Sequence, residues 1–400
     1  MKILFHHRIR SKDGQYVHIE ELTRALSRLG HEIIFVGPTA IEQEEFGSDA
    51  GLVALLKKRL PSFLYEILEF SYSIPAFLRL WRAIRVHRPD GIYERYSLFF
   101  PAGVWVRKLM EIPFLLEINA PLLEERSRYA GLKLTNLARW SEKYVWQGAD
   151  VTLPVTKVLA GYVRLTGVHE SRIVVIPNGV DRVKFGRQPA RDHAKQLLGL
   201  EGRLVLGFTG FLREWHKLEQ VVDWIADHPG PSQRHLLITG DGPARQAVER
   251  RAKERHISHA VTITGVVARE EVSRYVAAYD VALQPAVVAY ASPLKLFEYL
   301  ALGCAILAPS TPNICEVLSD GDNALLFDPA DDSSFSSALQ RICDDDSLRK
   351  RLGENARLTI EKGHYTWDHN ALQVIQLFER LGARTAVNQP QSEVEQSIQD

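Results

Sequence analysis

The sequence predicts an α/β protein built as two similar, facing halves, and three observations carry that expectation. Its 400 residues exceed what a single hydrophobic core usually supports. Apolar runs of strand length alternate with stretches of helical periodicity along most of the chain. After "RIVVIPNGVD" (172–181) the same alternation starts afresh.

Element by element, "KILFHH" reads as a buried strand, followed by the polar loop "RIRSKDGQ" and a helix, "YVHIEELTRALSRLG", stopped by Gly30. "HEIIFVGP" is a second strand and completes the first unit of a parallel sheet; "GIYERY", "PFLLEINA" and "VTLPVT" continue it. In the second half the strands are "RLVLGFTGFL", "RHLLITGDGP", "AVTITG", "DVALQP", "CAILAP" and "ALLFDP". Helices over "LEQVVDWIADH", "ARQAVERRAKERH" and "SPLKLFEYLALG" lie between them. The pattern predicts Rossmann-like domains over residues 1–182 and 187–367 and a polar, disordered tail over 386–400. In open α/β sheets ligands sit beyond the carboxyl ends of the strands, so the cleft between the halves is the expected site.

Composition narrows the classes. Basic and acidic residues balance at 49 each, which argues against nucleic acid as the main partner. Three cysteines without metal-ligand spacing suit a reducing compartment, and "MKILFHHR" has too short an apolar run for a signal peptide. The expectation is a cytoplasmic protein. His6, His7 and His18 lie close in sequence but without carboxylate or cysteine partners, so no metal site is expected.

Three loops carry chemistry. In "TGDGPARQ", Gly240 and Gly242 follow a strand and precede a helix, where backbone amides can meet an anion; a plain strand-to-helix turn explains them equally well. In "TGFLREWHK", Gly210 follows a strand and Arg213, His216 and Lys217 cluster after it, either to neutralise a diphosphate or as a solvated basic loop. In "SPLKLFEYLALG", Ser292 is the expected cap, Pro293 suits the first turn and Gly303 ends the helix. The amides of Ser292 to Lys295, Leu294 among them, then point into the cleft, and Glu298 can accept hydrogen bonds from sugar hydroxyls. The alternative is an i,i+3 ion pair between Lys295 and Glu298. On the opposite side, His18 can face the cleft, and Glu94 and Glu117 end strands where they either touch an acceptor or form salt bridges. Residues 51–89 place basic and aromatic residues on apolar segments, which suits either an anionic membrane surface or ordinary packing helices.

The second half, through "PNGVD", "GFLREWHK", "GDGP", "VTITGVVAREEVSRYVAAYDVALQP", "SPLKLFEYLALGCAILAP" and "EVLSDGDNALLFDP", resembles the donor domain of family 4 glycosyltransferases, which have the GT-B fold. "IYERYSLFFPAG" and "EINAPLLEER" resemble the acceptor domain of a subgroup, and "YTWDHNA" the C-terminal segment, whose last helix (about 368–384 here) crosses back onto the first domain. No metal or other cofactor is expected, because Arg213 and its neighbours supply positive charge. The resemblance implies a retaining transferase that uses a nucleotide diphosphate sugar and serves a hydroxyl acceptor such as a glycan or lipid-linked saccharide. It implies that Arg213 and His216 or Lys217 bind the diphosphate and that Glu298 holds the ribose. Gly265, Val266 and Val267 would lie beside the base, and Gly14 would let the chain approach the phosphates. The chain departs from the pattern at Tyr290, where many members carry a first glutamate, and at Asn119, where many carry a histidine. Lys217 stands where a glycine is usual. A nucleotide-sugar epimerase on the same fold and a non-catalytic nucleotide-sugar-binding relative are the alternatives, and a peripheral position at the inner membrane face is a further expectation.

Overall fold

The computed structural model describes residues 1–9, 14–37, 60–129, 131–186, 189–230 and 233–387. Two parallel sheets form its frame. The first contains β1 (Lys2–His6), β2 (Glu32–Val36), β3 (Gly91–Arg95), β4 (Phe114–Ile118) and β5 (Val151–Pro154), in the order β2-β1-β3-β4-β5. The second contains β6 (Leu204–Thr209), β7 (Arg234–Thr239), β8 (Val261–Ile263), β9 (Val281–Leu283), β10 (Ala305–Pro309) and β11 (Leu325–Phe327), in the order β11-β10-β9-β6-β7-β8. Both are doubly wound: the strand order reverses beside β1 in one and beside β6 in the other, and such switch points open a crevice at the strands' carboxyl ends.

Each sheet lies between two apolar layers. Leu4, Ile92 and Leu116 pack to one side of the first sheet, and Ile3, Phe5 and Leu115 to the other. Burial on both faces explains why these strands read as continuous apolar runs instead of alternating ones. Gly207, inside β6, is filled by a neighbour, because a Cβ there would stand 2.0 Å from the Tyr279 ring.

Two crossings connect the halves, and they run side by side. Val180 N–H donates to the Tyr365 carbonyl at 3.1 Å, and the Asn370 side-chain amide donates to the Pro177 carbonyl at 2.7 Å. The second crossing leads into the helix Trp367–Val387, whose Trp367, Val374 and Phe378 join the apolar layer of Ile3 and Phe5 in the first half. That helix begins one residue before the expected segment and continues through 386 and 387, which the sequence pattern predicts as tail; residues 388–400 lie outside the described residues.

Of the basic stretch 51–89, residues 51–59 lie outside the described residues. The remainder forms the helices Ser62–Ser71 and Ser73–His87, on which Phe63, Leu64, Ile67, Leu68, Ile74 and Leu78 are exposed. Among the described residues no helix is long and apolar enough to cross a membrane.

Candidate active site

A cavity of about 590 Å³ lies between the halves at the carboxyl ends of β6 and β7 and the start of the helix Leu294–Ala301, facing the start of the helix Gly14–Arg28. Its floor on the second half comes from two glycine loops stacked backbone to backbone. Gly210 (φ +123°) and Gly240 (φ +144°) touch so closely that a Cβ on Gly240 would stand 2.1 Å from the Gly210 carbonyl oxygen. Gly242 lies against Leu212 in the same way. Loop packing is therefore what these glycines serve first. Gly265 bridges to Gly240 behind the cavity, while Val266 and Val267 line it.

Arg213 is exposed and lines the cavity, with its guanidinium 4.5 Å from the Phe211 ring centroid and 5.3 Å from that of Trp215. Lys295 lines it too, its ammonium 3.7 Å from the centroid of Phe208. Neither cation forms an ion pair among the described residues. Burial brings the Lys295 pKa down to about 7, with Glu298 opposing the shift.

His216 and Lys217, the paired candidates for a second phosphate-binding cation, behave differently. The buried His216 imidazole accepts the Arg213 N–H through Nδ1 at 3.1 Å, and burial, Lys295 and Arg213 push its pKa down to about 3. It is neutral, with Nε2–H as its remaining donor, so it contributes a hydrogen bond and no charge. Lys217 adopts φ +52°, a left-handed conformation that suits glycine, and its side chain borders a separate groove with Gln220, Pro285 and Asp328. Lys217 is therefore not one of the cavity residues, and its backbone conformation explains the usual glycine. Lys295, not Lys217, lines the cavity beside Arg213.

The helix Leu294–Ala301 begins after Pro293 without a side-chain cap, and the amides of Leu294 and Lys295 have no backbone partner among the described residues. Ser292, the expected cap, instead docks the connection between the halves. Its Oγ accepts the Asn178 N–H at 3.2 Å, and its carbonyl accepts the Asn178 side-chain amide at 2.5 Å. Glu298 is buried at the cavity wall, and its Oε1 accepts from Arg269 Nη2 at 2.5 Å. The Lys295–Glu298 ion pair does not form. Arg269 was missed because it follows β8, far from the helix in sequence; a cation after a strand end was the available signal.

The first half presents a paired network. Glu117 sits behind the cavity and accepts from Tyr93 Oη at 2.7 Å, Arg95 Nη1 at 2.5 Å and the Asn119 amide. His18 Nε2 is 2.9 Å from Glu117, and His18 Nδ1 is 2.7 Å from Asn178 Oδ1. Burial favours the neutral acid, but His18 and Arg95 outweigh it and hold the Glu117 carboxyl well below the usual range. Of these, His18, Arg95, Asn119 and Asn178 line the cavity; Arg95 and Asn178 escaped sequence reading. Glu94 pairs with His6 at 2.9 Å. Gly14 opens the first helix at the cavity, and a Cβ there would meet, among the described residues, only Leu294 Cδ1 at 3.9 Å, so no contact with them requires glycine.

Tyr290, expected on the donor side, is not among the cavity residues. Its ring packs against the apolar layer of the first half and its hydroxyl bonds Glu125. Among the described residues no three His, Cys, Asp or Glu side chains converge as metal ligands would.

Known proteins agree with this frame. Residues 12–184 match the model of Glycosyltransferase Family 4, and residues 190–359 that of Glycosyl transferases group 1. The chain is 27% identical to a D-inositol 3-phosphate glycosyltransferase of a Nocardioides species, covering 92% of this chain and 86% of the other. It is 25% identical to the 2-deoxystreptamine glucosyltransferase of Streptomyces kanamyceticus, covering 82% and 89%. Sucrose-phosphate synthase of Thermosynechococcus elongatus superposes with a TM-score of 0.74 at 18% identity, over 96% of this chain and all of that one. Anabaena HepE in complex with UDP-glucose does so at 0.69 and 15%, over 97% of this chain and all of the other. The two family matches meet at the crossing between the sheets and take in both walls of the cavity, and the chain belongs to the family 4, group 1 glycosyltransferases, enzymes of sugar transfer on the GT-B fold.

Proposed function

We propose that the enzyme moves a sugar from a nucleoside diphosphate sugar to a hydroxyl of a glycan or lipid-linked saccharide, with retention at the anomeric carbon. The observation that carries this reading is the convergence of Arg213, Lys295 and two unpartnered helix amides on one wall of the cavity, with Glu298 one turn behind. Cations and amides fixed before the reaction stabilise a diphosphate as charge grows on its leaving oxygen. Glu298 suits the ribose hydroxyls, and Val266 and Val267 an apolar base face. The UDP-glucose bound to HepE, on a related fold, supports the same donor class.

In this reading the acceptor oxygen bonds to the anomeric carbon on the face that the diphosphate leaves. The acceptor proton passes to a departing phosphate oxygen. No side chain then has to act as the base, and Asn119 at the first-half wall orients hydroxyls through its carbonyl oxygen. Positive charge comes from the protein, so no metal or other cofactor enters.

The test is a thermal-shift panel of uridine, guanosine and adenosine diphosphates, followed by product analysis with and without EDTA. A ligand at one hundred times its dissociation constant stabilises the fold by about 2.7 kcal/mol. Glu298→Gln is expected to reduce that response. Turnover that EDTA abolishes and magnesium restores would sink the account of leaving-group stabilisation. A lipid-linked acceptor gives the exposed apolar side chains of residues 63–78, beside Arg79, Arg82 and Arg85, a place against an anionic membrane at the inner face. Flotation with anionic but not neutral vesicles, weakening with salt, is the expected outcome.

A further inference from the structure

Glu298 does not stand alone at the cavity wall. Arg269, whose Nη2 it accepts, lies between the two halves, and on its other side is Glu21 of the helix Gly14–Arg28. The Arg269 Nε is 3.8 Å from Glu21 Oε1, beyond hydrogen-bond reach. Glu21 is fully buried; its Oε1 accepts from Lys184 Nζ at 2.6 Å, while its Oε2 has no partner among the described residues. The Arg269 Nε is also buried and without a partner among them. An unmet carboxylate oxygen and an unmet guanidinium N–H thus occur in one pair of oppositely charged side chains, across the boundary between the halves. Buried polar atoms are nearly always hydrogen-bonded, so two orphans in one near-contact are informative.

We propose that Arg269 is a positioning residue that couples nucleotide binding to closure of the cleft, by engaging Glu21 of the first half and Glu298 of the second at once. A small rotation about the paired crossings, shortening the Nε–Glu21 distance by about 1 Å, brings it within bonding range. The planar fork of arginine can then serve both carboxylates through Nε and Nη2, which the point charge of a lysine cannot do. A nucleotide whose ribose engages Glu298 fixes that carboxylate, and with it the Arg269 guanidinium, in the orientation that Glu21 meets. The inference rests on Glu298 as the ribose residue. If Arg269 merely neutralised Glu298, Glu21 would be irrelevant to nucleotide binding.

The experiment titrates uridine, guanosine and adenosine diphosphates against the full-length wild type, Glu21→Gln, Arg269→Lys and the double variant. Small-angle scattering with and without each nucleotide reads closure. The wild type is expected to bind at least one nucleotide and contract. Each single variant is expected to bind it about tenfold more weakly without contracting, and the double variant to be no worse than the poorer single. Losses that multiply in the double variant, or full contraction by Glu21→Gln, overturn the coupling while leaving the nucleotide reading intact. A wild type that binds none of the three overturns both. Should Arg269→Lys fail to fold, Glu21→Gln decides through contraction alone, since it keeps its shape and loses only its charge.

Discussion

The two walls of the cleft are both rich in charge, but they hold it differently. Among the described residues of the first half the charges beside the cavity are paired: Glu117 receives His18, Arg95, Tyr93 and Asn119, Glu94 receives His6, and Glu20 pairs with Arg24. On the second half Arg213 and Lys295 lie against aromatic rings, and the helix beginning at Leu294 lacks a side-chain cap. Positive charge without a protein partner is costly to hold in a cleft unless an anion arrives. A matched network instead offers fixed hydrogen-bonding groups to a neutral ligand. In the function proposed above, this difference places the diphosphate at the second wall and the hydroxyl acceptor at the first.

The largest expected effect breaks the second wall. Arg213→Ala is expected to lower kcat by about 10²–10³, the usual loss when one preorganised donor to developing charge is removed. Its melting temperature should change little, because the exposed guanidinium contacts only Phe211 and Trp215 among the rings and forms no ion pair among the described residues. Steady-state kinetics beside a melting curve checks both halves of that statement.

Lys295 sharpens the comparison through pH. With its pKa brought down to about 7 by burial, it is largely neutral above that pH. A bound diphosphate stabilises the ammonium and raises the pKa, so binding takes up a proton. Nucleotide affinity is therefore fully present below pH 7 and falls as pH rises, by up to about tenfold per unit between 7 and 9. The terminal phosphate, with its second pKa near 6, is already ionised in that range and does not mask the trend. Calorimetry in buffers of different ionisation enthalpy reads the proton directly. Affinity that is flat or rising over this window would mean that Lys295 does not meet the anion, and Lys295→Met should remove the dependence.

This division of charge was only half legible in the sequence. Strands and their order of appearance were, because burial on both faces leaves uninterrupted runs such as "LVLGFT", and Gly30 and Gly303 mark helix ends by their positive φ. Arg213 was legible because it lies four residues after the end of β6, and Lys295 and Glu298 because they fall in the first turns of the helix that follows β9. Pairings across the fold were not. Nothing near Glu298 in the chain points to Arg269, and nothing near Ser292 points to Asn178, which takes the hydroxyl that capping would have used. Tyr290 shows the same limit. Its position in the motif suggested the sugar, whereas its ring is held by the apolar layer of the other half.

Tyr290→Phe is accordingly a modest change. Removing the hydroxyl that bonds Glu125 across the halves should cost about 0.5–1.5 kcal/mol of stability, with nucleotide affinity unaltered. A loss of turnover at unchanged stability would instead return Tyr290 to the donor site and undo the division drawn between the walls.

The smallest effect is expected at Lys217, one of the two positions where the sequence suggests a second diphosphate-binding cation. Two terms oppose each other in Lys217→Gly. The left-handed backbone costs a residue with a Cβ about 1–2 kcal/mol, which glycine avoids. Glycine in turn loses more conformational freedom on folding, by roughly 0.5–1 kcal/mol. The net change is about 0–1.5 kcal/mol in favour of glycine, and turnover should stay near that of the wild type because the side chain borders a groove outside the cavity. Lys217→Ala keeps the backbone penalty and removes the same charge, so it separates the two causes. If both variants lose activity by orders of magnitude, the ammonium reaches the diphosphate during turnover and the second wall holds three working cations. If only glycine stabilises and neither impairs catalysis, the positive φ at 217 is a matter of chain geometry, and the anion is left to Arg213, Lys295 and the amides of the helix.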